Sequence, residues 1–148
     1  MERERRVLVI DDDEAIRTLL FTVLRRRGFA VDRARHGEEA IEAMQRCRYA
    51  VALVDLMMPV KNGWEVLDWM ATQPKNDRPL AIVLTAGMAS GAMNPDVVAG
   101  TIRKPFDVEL LLDIVVACAD GREVEQATGC PPPQSNQVRP GQGGGDVN

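Results

Sequence analysis

Three short stretches of the chain, 7–10, 51–54 and 80–84, are apolar at every position and rich in Val, Leu and Ile. Runs this short with no polar face predict strands buried on both sides of a parallel sheet. Between the first two the period lengthens. Ile16, Leu19, Leu20, Val23 and Leu24 recur at helical spacing opposite Arg17, Thr18, Arg25 and Arg26, and Gly28 follows. This predicts an amphipathic helix facing the core through that stripe and ended by glycine. A weaker strand over 30–34 leads to a helix over 38–46 with Ala40, Ile41 and Met44 inward, and a third helix opens near Gly63, with Leu67 and Met70 inward, and stops before Pro74. The stretch 87–100 has little periodicity, so any fourth helix there is short or irregular. Residues 101–103 suit a short last strand. Asp107 is placed to cap a last helix that buries Val108, Leu111, Leu112, Val115 and Ala119. Strand and helix alternate about five times, which predicts an α/β fold with a doubly wound, five-stranded parallel sheet.

Composition divides the chain. Of its 148 residues 45% are hydrophobic, but the last 28 contribute only Val124, Ala127, Cys130, Val138 and Val147, and they hold six of the twelve glycines and four of the nine prolines. We therefore expect one folded domain over 1–120 and a mobile, disordered Gly/Pro-rich tail over 121–148, too polar to fold as an output domain. The PPP segment in it suits either a polyproline docking motif or an inert tether. The net charge of −4 is spread over both parts and argues against direct binding to nucleic acid or an anionic membrane. Cys47, Cys118 and Cys130 are odd in number and widely spaced, which suggests neither a disulfide framework nor a metal knuckle and fits a reducing compartment. The charged start MERERR does not resemble a secretory signal, and no apolar run is long enough to span a bilayer. The expected location is the cytoplasm.

In open parallel sheets the site lies beyond the carboxyl ends of the strands. There the chain places Asp11, Asp12 and Asp13 after the first strand, Asp55 after the third, Thr85 after the fourth and Lys104 after the fifth. Asp13 and Glu14 suit the start of a helix, as cap and dipole partner. Asp11, Asp12 and Asp55 cannot all be caps, and three converging anions call for a cation. Carboxylates without His or thiolate favour a hard ion such as Mg²⁺, which shares its shell with phosphate oxygens. Lys104 opposite them would balance a phosphoryl group, and Thr85 would donate to one of its oxygens. Asp55, alone at its strand end, is the candidate acceptor, since carboxylates form acyl phosphates. A flavodoxin-like electron carrier would need an uncharged phosphate loop where DDDE stands. An aspartate-nucleophile phosphatase would need a second aspartate where Met57 stands.

These residues carry a resemblance. VLVIDDDEAIR (7–17), VALVDLMMPVKNG (51–63), LTA (84–86) and RKPF (103–106), in this order and each at a strand end, resemble the receiver domain of bacterial two-component response regulators. The resemblance implies the flavodoxin-like strand order 2-1-3-4-5, Asp55 as phosphoacceptor, Asp11 and Asp12 as the acidic pair, and Mg²⁺ held also by the backbone carbonyl of Met57. It implies that Thr85 and Lys104 contact the phosphoryl group, that the Lys104–Pro105 bond is cis, and that Pro59 and Gly63 shape the loop after the acceptor. The implied function is a stand-alone phosphoacceptor switch rather than an enzyme. Asp55 would be charged by a histidine kinase or histidine phosphotransfer protein, and the signal passed to a downstream protein. Two positions depart from the family: Thr101 stands where an aromatic switch residue is usual, and the stretch from Thr85 to Lys104 is about one helical turn short. They keep open an alternative, a constitutive protein-interaction module whose phosphorylation is unused. Leu110, Ile114 and Ala117 form an apolar stripe on the outer side of the last helix, suited to a partner. Trp69 points outward on the third helix, Trp64 packs, and His36, the sole histidine, is solvated.

Overall fold

The computed structural model describes residues 3–58, 60–87 and 93–135. In chain order the elements are β1 (Arg3–Glu4), β2 (Arg6–Ile10), α1 (Glu14–Arg26), β3 (Ala30–Ala34), α2 (Gly37–Arg46), β4 (Val51–Asp55), α3 (Gly63–Ala71), a single 3₁₀ turn (Lys75–Asp77), β5 (Leu80–Thr85), β6 (Val98–Arg103), α4 (Val108–Ala119) and β7 (Val124–Glu125). Five strands form one parallel sheet in the order β3-β2-β4-β5-β6, which counted among those strands is 2-1-3-4-5. Register is fixed by pairs such as Val7 with Val31 and Val51, and Val51 with Leu80.

Because side chains alternate along a strand, the all-apolar runs feed two cores. Val7, Val9, Val51, Leu53, Ile82 and Leu84 face α1 and α4. Leu8, Ile10, Ala52, Val54, Ala81 and Val83 face α2 and α3. The caps sit where the sequence places them: Asp13 accepts from Ala15 and Ile16 N–H, and Asp107 from Leu110 N–H. Asn62 adds a capping box with Glu65 at the start of α3.

Several expectations shift. In α1 Leu20, Phe21 and Leu24 are buried while Leu19 is 42% exposed, so the stripe is turned by about one residue. Phe21 brings the larger apolar surface, and the guanidinium groups of Arg33 and Arg25 lie 4.1 and 5.5 Å from its ring. In α2 Gly37, Ala40 and Ala43 are the buried positions, with Ile41 and Met44 half-buried. The last strand of the sheet begins at Val98 rather than 101, with an irregularity opposite Ala81 and Ile82. Between β5 and β6 there is no helix among the described residues. Asn94 instead organises a turn, its carbonyl accepting from Val97 and Val98 N–H and its side chain from Asp96 N–H. Residues 88–92, where part of the irregular helix was expected, and Pro59 lie outside the described residues. On α4 Leu110 and Ala117 are exposed but Ile114 packs on the core, so the outer stripe is broken. Trp64 and Trp69 are both half-buried against the second core, so Trp69 does not project.

The largest correction concerns the C-terminal stretch. Of the tail expected over 121–148, residues 121–135 are not loose but run back along the domain, and residues 136–148 lie outside the described residues. β7 pairs antiparallel with β1, and the Gln126 side chain accepts from Arg48 N–H and donates to Arg48 O. Cys130 is disulfide-bonded to Cys47 at the end of α2, which overturns the expectation of three unpaired thiols and removes that basis for inferring a reducing compartment. Only Cys118 is free. Among the described residues no helix is long and apolar enough to cross a membrane.

Candidate functional site

The carboxyl ends of β2 and β4 lie side by side, because the strands pair in register from Val7 with Val51 to Ile10 with Val54. The residues that follow therefore meet. Asp11 is fully buried, Asp55 is 3% exposed, and Asp12 is exposed. One ligand atom from each of the three lies within 4.8 Å of the others. Asp11 is held by its own backbone, which donates to Ala34 O and accepts from Arg17 Nη1, and its Oδ1 accepts from Asp13 N–H. Asp55 Oδ1 accepts from Met57 N–H at 3.2 Å.

Lys104 closes the crevice from β6. Its Nζ lies 2.9 Å from Asp11 Oδ2 and 3.5 Å from Asp55 Oδ1, and its N–H donates to Thr85 O. The bond to Pro105 is cis, as the resemblance implies. Burial, and after it the negative charge of Asp11, pushes the Asp55 carboxyl up to about 7, although the Met57 N–H and Lys104 oppose the shift. Burial works against the charge of Lys104, but its contacts with Asp11 and Asp55 prevail and raise its pKa. Asp55 is thus a carboxyl poised between its two charge states.

The loop after Asp55 approaches the strand closely. A Cβ on Gly63 would stand 2.4 Å from Asp55 O, so glycine is required there for proximity, and the positive φ of this loop (+68°) falls on Val60. Gly37 meets the same loop: its N–H donates to Lys61 O. Met57 and Val60 are exposed at 71% and 74%.

Thr85 stands at the strand end where the sequence places it, whereas His36 sits differently from the expectation. Thr85 is buried at the site, but its hydroxyl donates to Gly87 O and accepts from Gly87 N–H. His36 is half-buried and caps α2, its Nδ1 accepting from Glu39 N–H. Sequence reasoning missed this cap because Ser, Thr, Asp and Asn are the usual signals. Thr101 is exposed and reaches Met93 Sδ at 3.7 Å.

The three acids make an all-oxygen set without His or thiolate, with a lysine on the far wall. That donor chemistry fits Mg²⁺ rather than a soft metal. The arrangement can hold a dication and present one buried carboxylate to an electrophile.

Comparison with known proteins gives a consistent result. Residues 7–116 match the family model described as the response regulator receiver domain. The chain is 33% identical over 135 residues to Protein Rrf1 of Nitratidesulfovibrio vulgaris, covering 88% of this chain and 97% of Rrf1. It is 39% identical over 106 residues to the transcriptional regulatory protein ResD of Bacillus subtilis, but that match covers 43% of ResD. Among solved structures it is similar to a CheY-like receiver domain protein from Methanospirillum hungatei, with TM-score 0.70, 28% identity, and 78% of this chain and 94% of the other covered. It is also similar to the response regulator TrrA of Thermotoga maritima in complex with Mg²⁺-BeF, with TM-score 0.69, 29% identity, and 77% and 98% covered.

Proposed function

The chain belongs to the response regulator receiver domain family, and from that premise we propose that it is a Mg²⁺-dependent phosphoacceptor switch in which Asp55 takes a phosphoryl group from a partner's phosphohistidine. The observation that carries this reading is the buried Asp55 carboxyl facing both Asp11 and Lys104. Asp11, Asp12 and Asp55, with the Met57 carbonyl, would hold the Mg²⁺, which supplies charge against the phosphoryl oxygens when bound. A relative solved with Mg²⁺-BeF supports the assignment.

The step itself is a transfer between carboxylate and imidazole. An Asp55 oxygen forms a bond to phosphorus, the P–N bond of the donor breaks, and the imidazole leaves with the electron pair. The donor histidine belongs to a histidine kinase or phosphotransfer protein, since His36 is engaged as a helix cap. Lys104 is already in the crevice and transfers its attention from the two carboxylates to a phosphoryl oxygen. Thr85 must first rotate away from Gly87 to donate to another. That rotation, with the exposed loop at Met57 and Val60, is the change a downstream protein reads. Thr101 takes no aromatic switch role, so the readout stays close to the site.

The test is intact mass after incubation with a small phosphodonor and Mg²⁺. Wild type gains one base-labile phosphoryl group, Asp55→Ala gains none, and chelation abolishes labelling. A wild type that stays unlabelled at saturating donor and Mg²⁺ overturns the reading. Full labelling in EDTA overturns the metal assignment alone.

A further inference from the structure

Away from the phosphoacceptor crevice, the disulfide between Cys47 and Cys130 holds a segment to the edge of the sheet. Cys47 is the C-cap of α2 and is 4% exposed, whereas Cys130 is only half-buried. Beyond Cys130 the chain runs past β3, the edge strand. Its Pro131 O accepts from Arg6 Nη2, the Gln134 N–H donates to Asp32 Oδ1, and Gln134 Oε1 accepts from Arg33 N–H and Nε. The prolines between are exposed.

These contacts are polar and few. Among the described residues every buried hydrophobic one lies between Val7 and Ala119; Cys130 packs half-buried against the second core, and residues 131–135 are exposed and add nothing to either core. Arg6 and Asp32 are bound to one another without the segment, through Nε and Nη2 to Oδ2, and Tyr49 Oη also donates to Asp32. A handful of hydrogen bonds at a largely exposed edge does not offset the conformational entropy of ordering six residues. The disulfide is what keeps them in place.

We propose that Cys47–Cys130 is a thiol–disulfide exchange site whose reduction by a dithiol protein or small dithiol releases residues 130–135 from β3 while the sheet stays folded. A thiolate of the dithiol attacks Cys130 Sγ, the more accessible sulfur, forming a mixed disulfide, and Cys47 leaves as thiolate and takes a proton. The second thiol of the reductant, deprotonated, attacks its own sulfur in that mixed disulfide and expels the Cys130 thiolate, which is protonated in turn. The reductant ends as a disulfide and two electrons pass to the protein. Cys118 competes poorly, because burial raises its thiol pKa and leaves little thiolate. Release uncovers the Arg33 N–H on the edge strand and the charged pair beneath. The proposal is independent of whether Asp55 accepts a phosphoryl group.

The experiment uses the full chain carrying Cys118→Ser, so that only two sulfurs are counted. Alkylation and intact mass are read before and after native treatment with dithiothreitol, and amide exchange is followed by NMR at Arg33 and Gln134 and, as controls, at Val9 and Leu53. The expected result is no alkylation before treatment and two labels after it, with exchange at Arg33 and Gln134 faster by about tenfold or more and the controls unchanged. Cys130→Ser should reproduce the faster exchange at Arg33 and Gln134 without reductant, with the one remaining thiol, Cys47, free. Two free thiols in air-purified protein, resistance to native reduction, unchanged exchange at Arg33 and Gln134, or loss of protection at Val9 and Leu53 would each overturn it. The last result would make the bond a structural staple.

Discussion

Asp55 shows how a single residue stores a conditional charge. In the folded protein without a cation its carboxyl holds a proton up to about 7, mainly because it is buried and then because Asp11 faces it. In the unfolded chain the same group ionises near the ordinary value of about 4. A carboxyl raised on folding favours the folded state fully below the unfolded value, and that advantage is lost as pH rises from about 4 to about 7. We therefore expect stability in EDTA to fall across that window by up to about 3 kcal/mol, read from the urea midpoint at fixed ionic strength. Asp55→Asn should flatten the fall, and Mg²⁺ should stabilise wild type more at pH 8 than at pH 5. If the variant has the same pH slope as wild type, the burden lies on another group. Lys104 does not share it, since its own pKa is raised and it stays charged throughout.

At the scale of elements, the junction from β4 to α3 does the positioning. The Gly63 N–H donates to Leu56 O, and the absent Cβ lets α3 begin against the Asp55 carbonyl. Gly63→Ala would place a methyl 2.4 Å from that oxygen and 2.6 Å from Leu56 Cα, both backbone atoms, so the helix must shift. The expected cost is about 1–3 kcal/mol in chemical denaturation, with slower Asp55 phosphorylation in the mass assay. Gly100→Ala, whose Cβ meets nothing within 4 Å, is the matched control and should change neither. The close approach was not legible in the sequence, which offered a turn-forming glycine and no distance. The strands were legible because an apolar run of four or five residues has one good solution in a two-faced sheet. So were Asp11, Asp55 and Lys104, because strand ends converge whatever the loops do. The face of α1 was less so: Leu19 and Phe21 flank the same stripe, and it is Phe21 that enters the core, with Arg33 from β3 lying over its ring, a contact the helix's own pattern does not carry. The present partner of the Thr85 hydroxyl was not legible, because it is a carbonyl two residues on, in a stretch without periodicity.

At the scale of the whole molecule, the C-terminal stretch is ordered by polar pairing as far as Gln126 and by the disulfide at Cys130 beyond it, rather than by apolar burial, which is why composition pointed the other way. Gln126 closes on Arg48 and Glu4, Arg122 donates to Ala50 O and Arg78 O, and Pro131 O completes the bonds of the buried Arg6. Amino-acid statistics do not weigh such contacts, and a cysteine partner 83 residues away has no local signal. The same accounting predicts what removing the stretch does. A chain ended after Asp120 keeps both cores, since their buried residues end at Ala119. It loses the cross-link, which closes a long loop, together with β7 and the bonds to Arg6 and Asp32. The loop closure alone is worth about 2–5 kcal/mol. Each lost hydrogen bond adds about 1 kcal/mol or less where water replaces the partner. We expect the shortened chain to unfold in one cooperative urea transition at a clearly lower midpoint, and still to take one phosphoryl group on Asp55 with Mg²⁺. Arg6 is the residue that decides this, because its charge is buried and its pairing with Asp32 survives the truncation. A truncated chain with no cooperative transition would mean that this pair stays in the interior only when Pro131 covers it.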